Sequence, residues 1–237
     1  MSQTFLLDGR PVPYTPGQSV LQAALAAGRW IPHLCHHPAL RPHGSCKLCT
    51  VAVDGRQLSS CTLPAASGMA VESDTDTLNA ERLSLLELLF VEGNHFCPSC
   101  ELSGACQLQA TAYALGMVTP HFDHLFPSRS VDASHPDFLI DFNRCILCSL
   151  CARASREVDG KRLFALAGRG LQTRLIINSD SGLLGDTDFA TSDMAARVCP
   201  VGAILPKRRG FVTPIGQRRY DIHPINEIAP KAEDGHE

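Results

Sequence analysis

The chain has 237 residues, room for one large domain or two to three small ones. With 44% apolar and 19% charged residues it is globular rather than disordered. Its net charge of −3, with no long basic block, excludes nucleic acid as the expected partner. The exceptional feature is cysteine, 11 in all, bunched at spacings of two.

The start, Met1-Ser2-Gln3-Thr4, has no basic stretch followed by an apolar one, so no secretory signal is expected. The most apolar window, Leu83 to Val91, is about half a membrane span and holds Ser84 and Glu87. No membrane span and a cytoplasmic location are therefore expected. In a reducing cytosol many cysteines point to metal or redox chemistry rather than disulfides, and an odd count fits a disulfide framework poorly.

Thr4 to Asp8 reads as a strand, closed by a turn at Gly9. Ser19 with Gln22 forms a capping-box signature for a helix over Val20 to Ala27, stopped at Gly28. The first cysteine group follows: Cys35, Cys46, Cys49 and Cys61. Cys46 and Cys49 lie in a loop with Gly44, and Thr50–Val53 with Gln57–Cys61 reads as a hairpin about Asp54-Gly55. This order of strand, helix, cysteine loop and hairpin predicts a β-grasp ferredoxin-like domain over 1–77.

Leu78 to Glu92 then carries Leu78, Leu85, Leu86, Leu89 and Phe90 on one broad helical face, ended by Gly93-Asn94. It leads into His95, Cys97, Cys100 and Cys106, with a short helix predicted over Gln107–Leu115. This is a small helical domain over 78–125. The third group is Cys145, Cys148 and Cys151, with Cys199-Pro200 far downstream, in a domain over 136–210. A bacterial two-cluster ferredoxin repeats C-x2-C-x2-C-x3-C-P, each fourth cysteine serving the other cluster. Here the fourth position of the first run is Ser155, and the three positions before Cys199 are Phe189, Ser192 and Ala195. All four losses fall on one cluster, and one complete crosswise set remains. The fold class is thus α+β: β-grasp, small helical domain, and bacterial-ferredoxin-like domain with one [4Fe-4S] cluster. A tail over 211–237 follows and reads as an arm lying on a partner.

Groups of four, three and four cysteines use all 11 and leave the middle site one ligand short. Imidazole can replace thiolate on an iron–sulfur cluster, so His95 is the candidate fourth ligand; the alternative is a surface or N-capping histidine. Zinc is the rival for each group, but a zinc ribbon needs two C-x2-C pairs and none of the groups has two. Cys61 read alone fits an ordinary buried cysteine. His33, His36, His37 and His43 around the first group read as solvated or supporting histidines, and Lys207-Arg208-Arg209 as either a solvated turn or a docking patch. No dinucleotide or phosphate-binding glycine motif occurs, so the chain carries candidate one-electron sites and no substrate site.

The run Asn94-His95-x-Cys97-Pro98-x-Cys100-Glu101-x-Ser103-Gly104-x-Cys106-Gln107-Leu108-Gln109 resembles the diaphorase gamma subunits of bidirectional NAD-reducing [NiFe] hydrogenases. So do Arg144-Cys145-Ile146-x-Cys148-x2-Cys151, Cys199-Pro200-Val201-Gly202 and Pro214-Ile215-Gly216-x-Arg218-x-Tyr220. The chain is more distantly similar to the N-terminal region of the large iron–sulfur subunit of respiratory complex I. In that wider group three residues separate the histidine from its first cysteine; here one does.

The resemblance implies an electron-transfer subunit of an NAD-dependent hydrogenase. Cys35, Cys46, Cys49 and Cys61 would hold a [2Fe-2S] cluster near the flavoprotein side. His95, Cys97, Cys100 and Cys106 would hold one [4Fe-4S] cluster, and Cys145, Cys148, Cys151 and Cys199 another. It also implies partners: a flavin-bearing diaphorase subunit and the [NiFe] hydrogenase small and large subunits. FMN, NAD and the NiFe centre would sit on those partners, with no catalytic residue in this chain. The alternative is the equivalent subunit of another NAD-linked complex, such as a soluble formate dehydrogenase.

Overall fold

Alternating apolar residues and two Asp-Gly turns set the N-terminal sheet in the computed structural model, which describes residues 3–227. Strand β1 (Gln3–Leu7) buries Phe5 and Leu7 and turns through Asp8-Gly9 into β2 (Arg10–Tyr14). A second two-residue turn, Asp54-Gly55, joins β3 (Thr50–Val53) to β4 (Arg56–Ser59). All four turn residues have positive φ, the conformation that lets a two-residue loop follow the strand twist. With β5 (Ala70–Glu72) the sheet order is β2-β1-β5-β3-β4, β1 and β5 being parallel. This is the expected β-grasp unit.

Helix α1 (Val20–Ala26) covers the sheet. Its capping box forms as the sequence indicates, Gln22 N–H donating to Ser19 Oγ at 3.2 Å and Ser19 N–H to Gln22 Oε1 at 2.9 Å. Val20, Leu21, Ala23 and Ala24 are fully buried, and Gly28 follows with φ 68°.

Helix α2 (Asp76–Val91) starts two residues earlier than the apolar pattern indicates, because Thr75 Oγ1 accepts Leu78 N–H at 3.3 Å. Leu78 and Leu86 are buried as expected, and Leu85, Leu89 and Phe90 are half-buried. Helix α3 is Gln107–Ala114. The last unit contains β6 (Val131–Asp132), β7 (Phe138–Asp141), α4 (Leu150–Glu157), β8 (Phe164–Ala167), β9 (Arg174–Ile177) and β10 (Ile204–Pro206). Its sheet order is β10-β7-β6, with β8 and β9 as a separate hairpin.

Two cores result. One lies between α1 and the N-terminal sheet. The other joins α2, α3 and the last unit, and Leu34, Leu40 and Leu48 of the first cysteine loop belong to it. Fully buried apolar side chains of this kind each contribute roughly 1.5–3 kcal/mol, and here they lock the first cysteine loop against the other two cysteine groups.

Beyond β10 the chain turns back. A short helix, α5 (Arg219–Ile222), lies on the middle unit: Tyr220 N–H donates to Gly104 O at 2.8 Å and Arg218 Nη1 to Ser103 Oγ at 3.2 Å. The tail expected to lie on a partner thus packs, over this stretch, on its own chain. Residues 228–237 of that tail, and Met1-Ser2, lie outside the described residues. No helix among the described residues is long and apolar enough to cross a membrane.

Candidate metal centres

The first group gathers in the loop between α1 and β3, closed by Cys61 after β4. Cys35, Cys49 and Cys61 are buried and Cys46 is half-buried. Lys47 takes a left-handed conformation, φ 59°, which folds the two-residue gap between Cys46 and Cys49 back on itself. Cys46 N–H donates to Cys35 Sγ at 3.5 Å. The sulfurs form two close pairs. In each, a shared hydrogen bond holds one thiol (Cys35, Cys49) below its ordinary value and pushes its neighbour (Cys46, Cys61) above it. Cys61 is thereby part of the constellation rather than an isolated core cysteine. Of the nearby histidines, His33 Nδ1 lies 2.7 Å from Ile31 O, and His36 is buried against it ring edge to face. His43 is exposed.

The third group is set by the turn before α4. Leu147 and Ser149, φ 55° and 62°, curl the chain so that Cys145, Cys148 and Cys151 face inward with Cys199. Burial pushes the Cys145 thiol up to about 11 and raises Cys148, Cys151 and Cys199. Backbone N–H groups of Val201, Ala203 and Ile204 donate toward Cys199 and oppose that rise. Cys151 and Cys199 are buried and Cys145 and Cys148 half-buried, so four thiols gathered here are costly to ionise alone, and a bound cationic centre would favour their thiolate forms.

The abandoned half of the ferredoxin pattern is filled with side chains. Phe189 makes edge-to-face contacts with His135, Phe138 and Phe164 at 5.6, 5.2 and 5.7 Å. Ser155 is fully buried with its Oγ accepting Leu163 N–H at 2.9 Å, and Ala195 is fully buried. Ser192 is exposed. An aromatic plug stands where a second cluster would need space.

The middle group lines a narrow, partly open pocket, with His95, Cys97, Cys100 and Cys106 together with Arg144 and Gly202 in its wall. Cys97 opens a 3-10 turn, Cys97–Ser99; Cys100 ends it; Cys106 caps α3. Burial raises Cys97 and pushes Cys106 up to about 12. His95 Nε2 is buried without a hydrogen-bond partner. Burial, and then the Arg144 charge, lower its pKa to about 4, so the ring is neutral, the form that binds metal. A Cβ at Gly93 would stand 2.5 Å from Nε2, so only glycine leaves this ring its place.

Among the described residues no three His, Cys, Asp or Glu side chains are arranged to hold a single metal ion. The donor chemistry is thiolate-rich, with one imidazole beside three of the cysteines, and such a set fits iron–sulfur clusters.

The third site touches both others. Arg153 on α4 is buried and donates to Cys35 O at 2.5 Å and to Arg41 O at 2.6 Å, tying α4 to the first loop. Gln107 N–H donates to Pro200 O at 2.9 Å, and Cys106 Sγ lies 3.7 Å from the same oxygen, tying the middle site to the Cys199 loop. The third site therefore adjoins both of the others. The patterning of the chain contained no signal for Arg153 or for Arg82. Arg82 on α2 is buried with its guanidinium on Leu48 O, Thr50 O, Ser73 O and Asn79 Oδ1. Of the basic step after β10, Lys207 Nζ is spent on Ala133 O and His135 O.

Three family models match in turn: a 2Fe-2S iron–sulfur cluster binding domain at residues 2–76, the NADH-ubiquinone oxidoreductase-G iron–sulfur binding region at 82–121, and a 4Fe-4S single cluster domain at 138–205. The chain is 36% identical to the gamma subunit of the NAD-reducing hydrogenase HoxS of Cupriavidus necator, over 99% of this chain and all of that one. It is 32% identical to the mitochondrial 78 kDa subunit of NADH-ubiquinone oxidoreductase of Candida albicans over 86% of this chain, and spans 28% of that longer protein. Among solved structures, it resembles a chain of an NAD+-reducing [NiFe]-hydrogenase in the H2-reduced state. The TM-score is 0.93 and the identity 56%, covering 96% of this chain and 97% of that one.

Proposed function

The chain belongs to the family of NAD-reducing hydrogenase gamma subunits, and we propose that it wires such an enzyme with one [2Fe-2S] and two [4Fe-4S] clusters. As a family member it is an iron–sulfur electron-transfer subunit of an NAD-linked oxidoreductase. Its neighbours in this reading are a flavin-bearing subunit that handles FMN and NAD and the small and large subunits of a [NiFe] hydrogenase, in the cytoplasm.

Cys35, Cys46, Cys49 and Cys61 hold the two-iron cluster. His95, Cys97, Cys100 and Cys106 hold one four-iron cluster, and Cys145, Cys148, Cys151 and Cys199 the other. Bound clusters supply one-electron carriers. The chain's own residues fix the spacing, keep water out and donate N–H groups to sulfur, which sets the potentials. The domains follow the sites: 1–77, 78–125 and 136–210, with the tail beyond 211. The observation that carries the reading is the segregation of all 11 cysteines into three separate constellations, the one with three cysteines completed by the unpartnered His95 Nε2.

The test is metal and acid-labile sulfide analysis of the anaerobically purified protein. Ligand sets of these sizes predict about ten iron and ten sulfide per chain and little zinc. Two or three zinc without sulfide would overturn the relay. About six iron would leave one four-iron site empty and remove His95 from the ligands first.

A further inference from the structure

Arg144 stands between two cysteine groups and is used by neither as a ligand. It directly precedes Cys145 of the third site, yet its side chain turns to the middle one. Its Nη1 is 3.7 Å from Cys100 Sγ, 2.6 Å from Glu101 Oε2 and 3.4 Å from Gly202 O. Its Nε is 2.9 Å from Asp141 Oδ2. Asp141 is itself fixed by Asn143, whose backbone N–H donates to Oδ1 at 3.0 Å. The guanidinium is therefore held from both sides: by the middle unit through Cys100 and Glu101, by the third through Asp141 and Gly202. Its side chain is 18% exposed, so solvent screens it weakly.

We infer that Arg144 is a positioning residue that sets the reduction potential of the middle cluster, its charge held against the Cys100 sulfur and balanced by Glu101 and Asp141. This rests on the reading that His95, Cys97, Cys100 and Cys106 hold a cluster. Reduction adds one negative charge to that cluster. A cation hydrogen-bonded to a ligand sulfur stabilises the reduced form, and a carboxylate beside it does the reverse. With Arg144 removed, Glu101 and Asp141 would face the site uncompensated, so the reduced form would lose more than the guanidinium contact alone. With Glu101 removed, Nη1 would be left to the Cys100 sulfur and the carbonyl of Gly202.

The sign of the shift distinguishes this from a packing role. In the intact complex, each cluster's electron paramagnetic resonance signal is followed through a stepwise redox titration. Arg144→Gln is expected to lower the reduced-to-oxidised ratio of the middle cluster about tenfold at fixed potential, about 59 mV for a one-electron couple. Glu101→Gln is expected to move it the opposite way, and Arg144→Lys to restore most of the loss. The third cluster should move less, because the guanidinium touches a middle-site sulfur. Shifts in the same direction for Arg144→Gln and Glu101→Gln, or none in either, would overturn the inference. If Arg144→Gln fails to assemble the cluster, the signs in Arg144→Lys and Glu101→Gln decide. A wild-type complex with no signal from the middle site would sink the ligand reading, and this inference with it.

Discussion

His95 sits where two demands meet: its ring must be buried beside three thiols, and its Nε2 must find a partner there. Phe90 meets the ring edge-on at 5.5 Å and Gly93 leaves it space, while no protein group takes Nε2. Replacing it by cysteine, His95→Cys, is expected to keep the middle cluster and lower its potential. Two-histidine Rieske centres lie several hundred millivolts above all-cysteine ones, so a single exchange is expected to move the potential by roughly 100–300 mV. Redox titration of the variant checks this, and an unchanged potential would remove His95 from the ligand set. The histidine was legible in the sequence because ligand counting left one site incomplete. Arg82 and Arg153 were not, and Arg144 stood out only as part of the Arg144-Cys145-Ile146 run, with no role attached. Each acts through carbonyls or sulfurs brought together from distant stretches: Arg82 bridges Leu48, Thr50 and Ser73, and Arg153 reaches back to Cys35. A single arginine in a chain has no period and no spacing, so nothing local announces such a role. Truncating Arg82 would leave buried carbonyls unsatisfied at about 1–3 kcal/mol each, which offsets the cost of a charged residue in that helix face.

At the level of elements, legibility followed local chemistry. The Ser19–Gln22 capping box, the Asp54-Gly55 turn and strand Thr50–Val53 stand where their residues indicate, since each is decided by neighbours within a few positions. The left-handed turns at Lys47, Leu147 and Ser149 did not show in the sequence. Nothing in a lysine, leucine or serine asks for positive φ, and the conformation costs roughly 1–2 kcal/mol per residue. Cluster binding is the natural source of compensation, since it requires the two-residue gaps to curl. Gly202 shows the same dependence across elements. It lies after Cys199 in the third unit, yet a Cβ there would stand 2.9 Å from Cys100 Sγ and 3.4 Å from Leu102 Cβ. Gly202→Ala is therefore expected to damage the middle site rather than its own. Overpacking of this kind costs on the order of 1–3 kcal/mol. Iron content should fall toward six per chain, with the third cluster's resonance retained. Loss of the third cluster with the middle one intact would show that Gly202 serves its own loop instead.

For the whole molecule the third site, last along the chain, adjoins both of the others, and this has a functional consequence. Arg153 and the leucines of the first loop seat the first site on α4, and Pro200 of the same unit contacts the middle site. The third site is thus placed to link the other two, although it comes last in the sequence. Sequence order alone would make the middle site the link. The two orders predict opposite results for one variant. Cys151→Ala removes a proposed ligand from the third site and leaves the eight proposed donors of the other two in place. If the third site is the link, reduction of NAD+ by hydrogen should collapse. NADH oxidation by an artificial acceptor at the flavin should stay near wild type, because that reaction stops before the break. Under NADH the two-iron centre should still reduce while the middle cluster stays oxidised; under hydrogen the pattern should invert. Resonance spectra of the variant reduced from each side in turn read this out directly. A middle cluster still reduced by NADH at the wild-type rate would mean that electrons bypass the third site. The contacts through Arg153 and Pro200 would then serve packing alone.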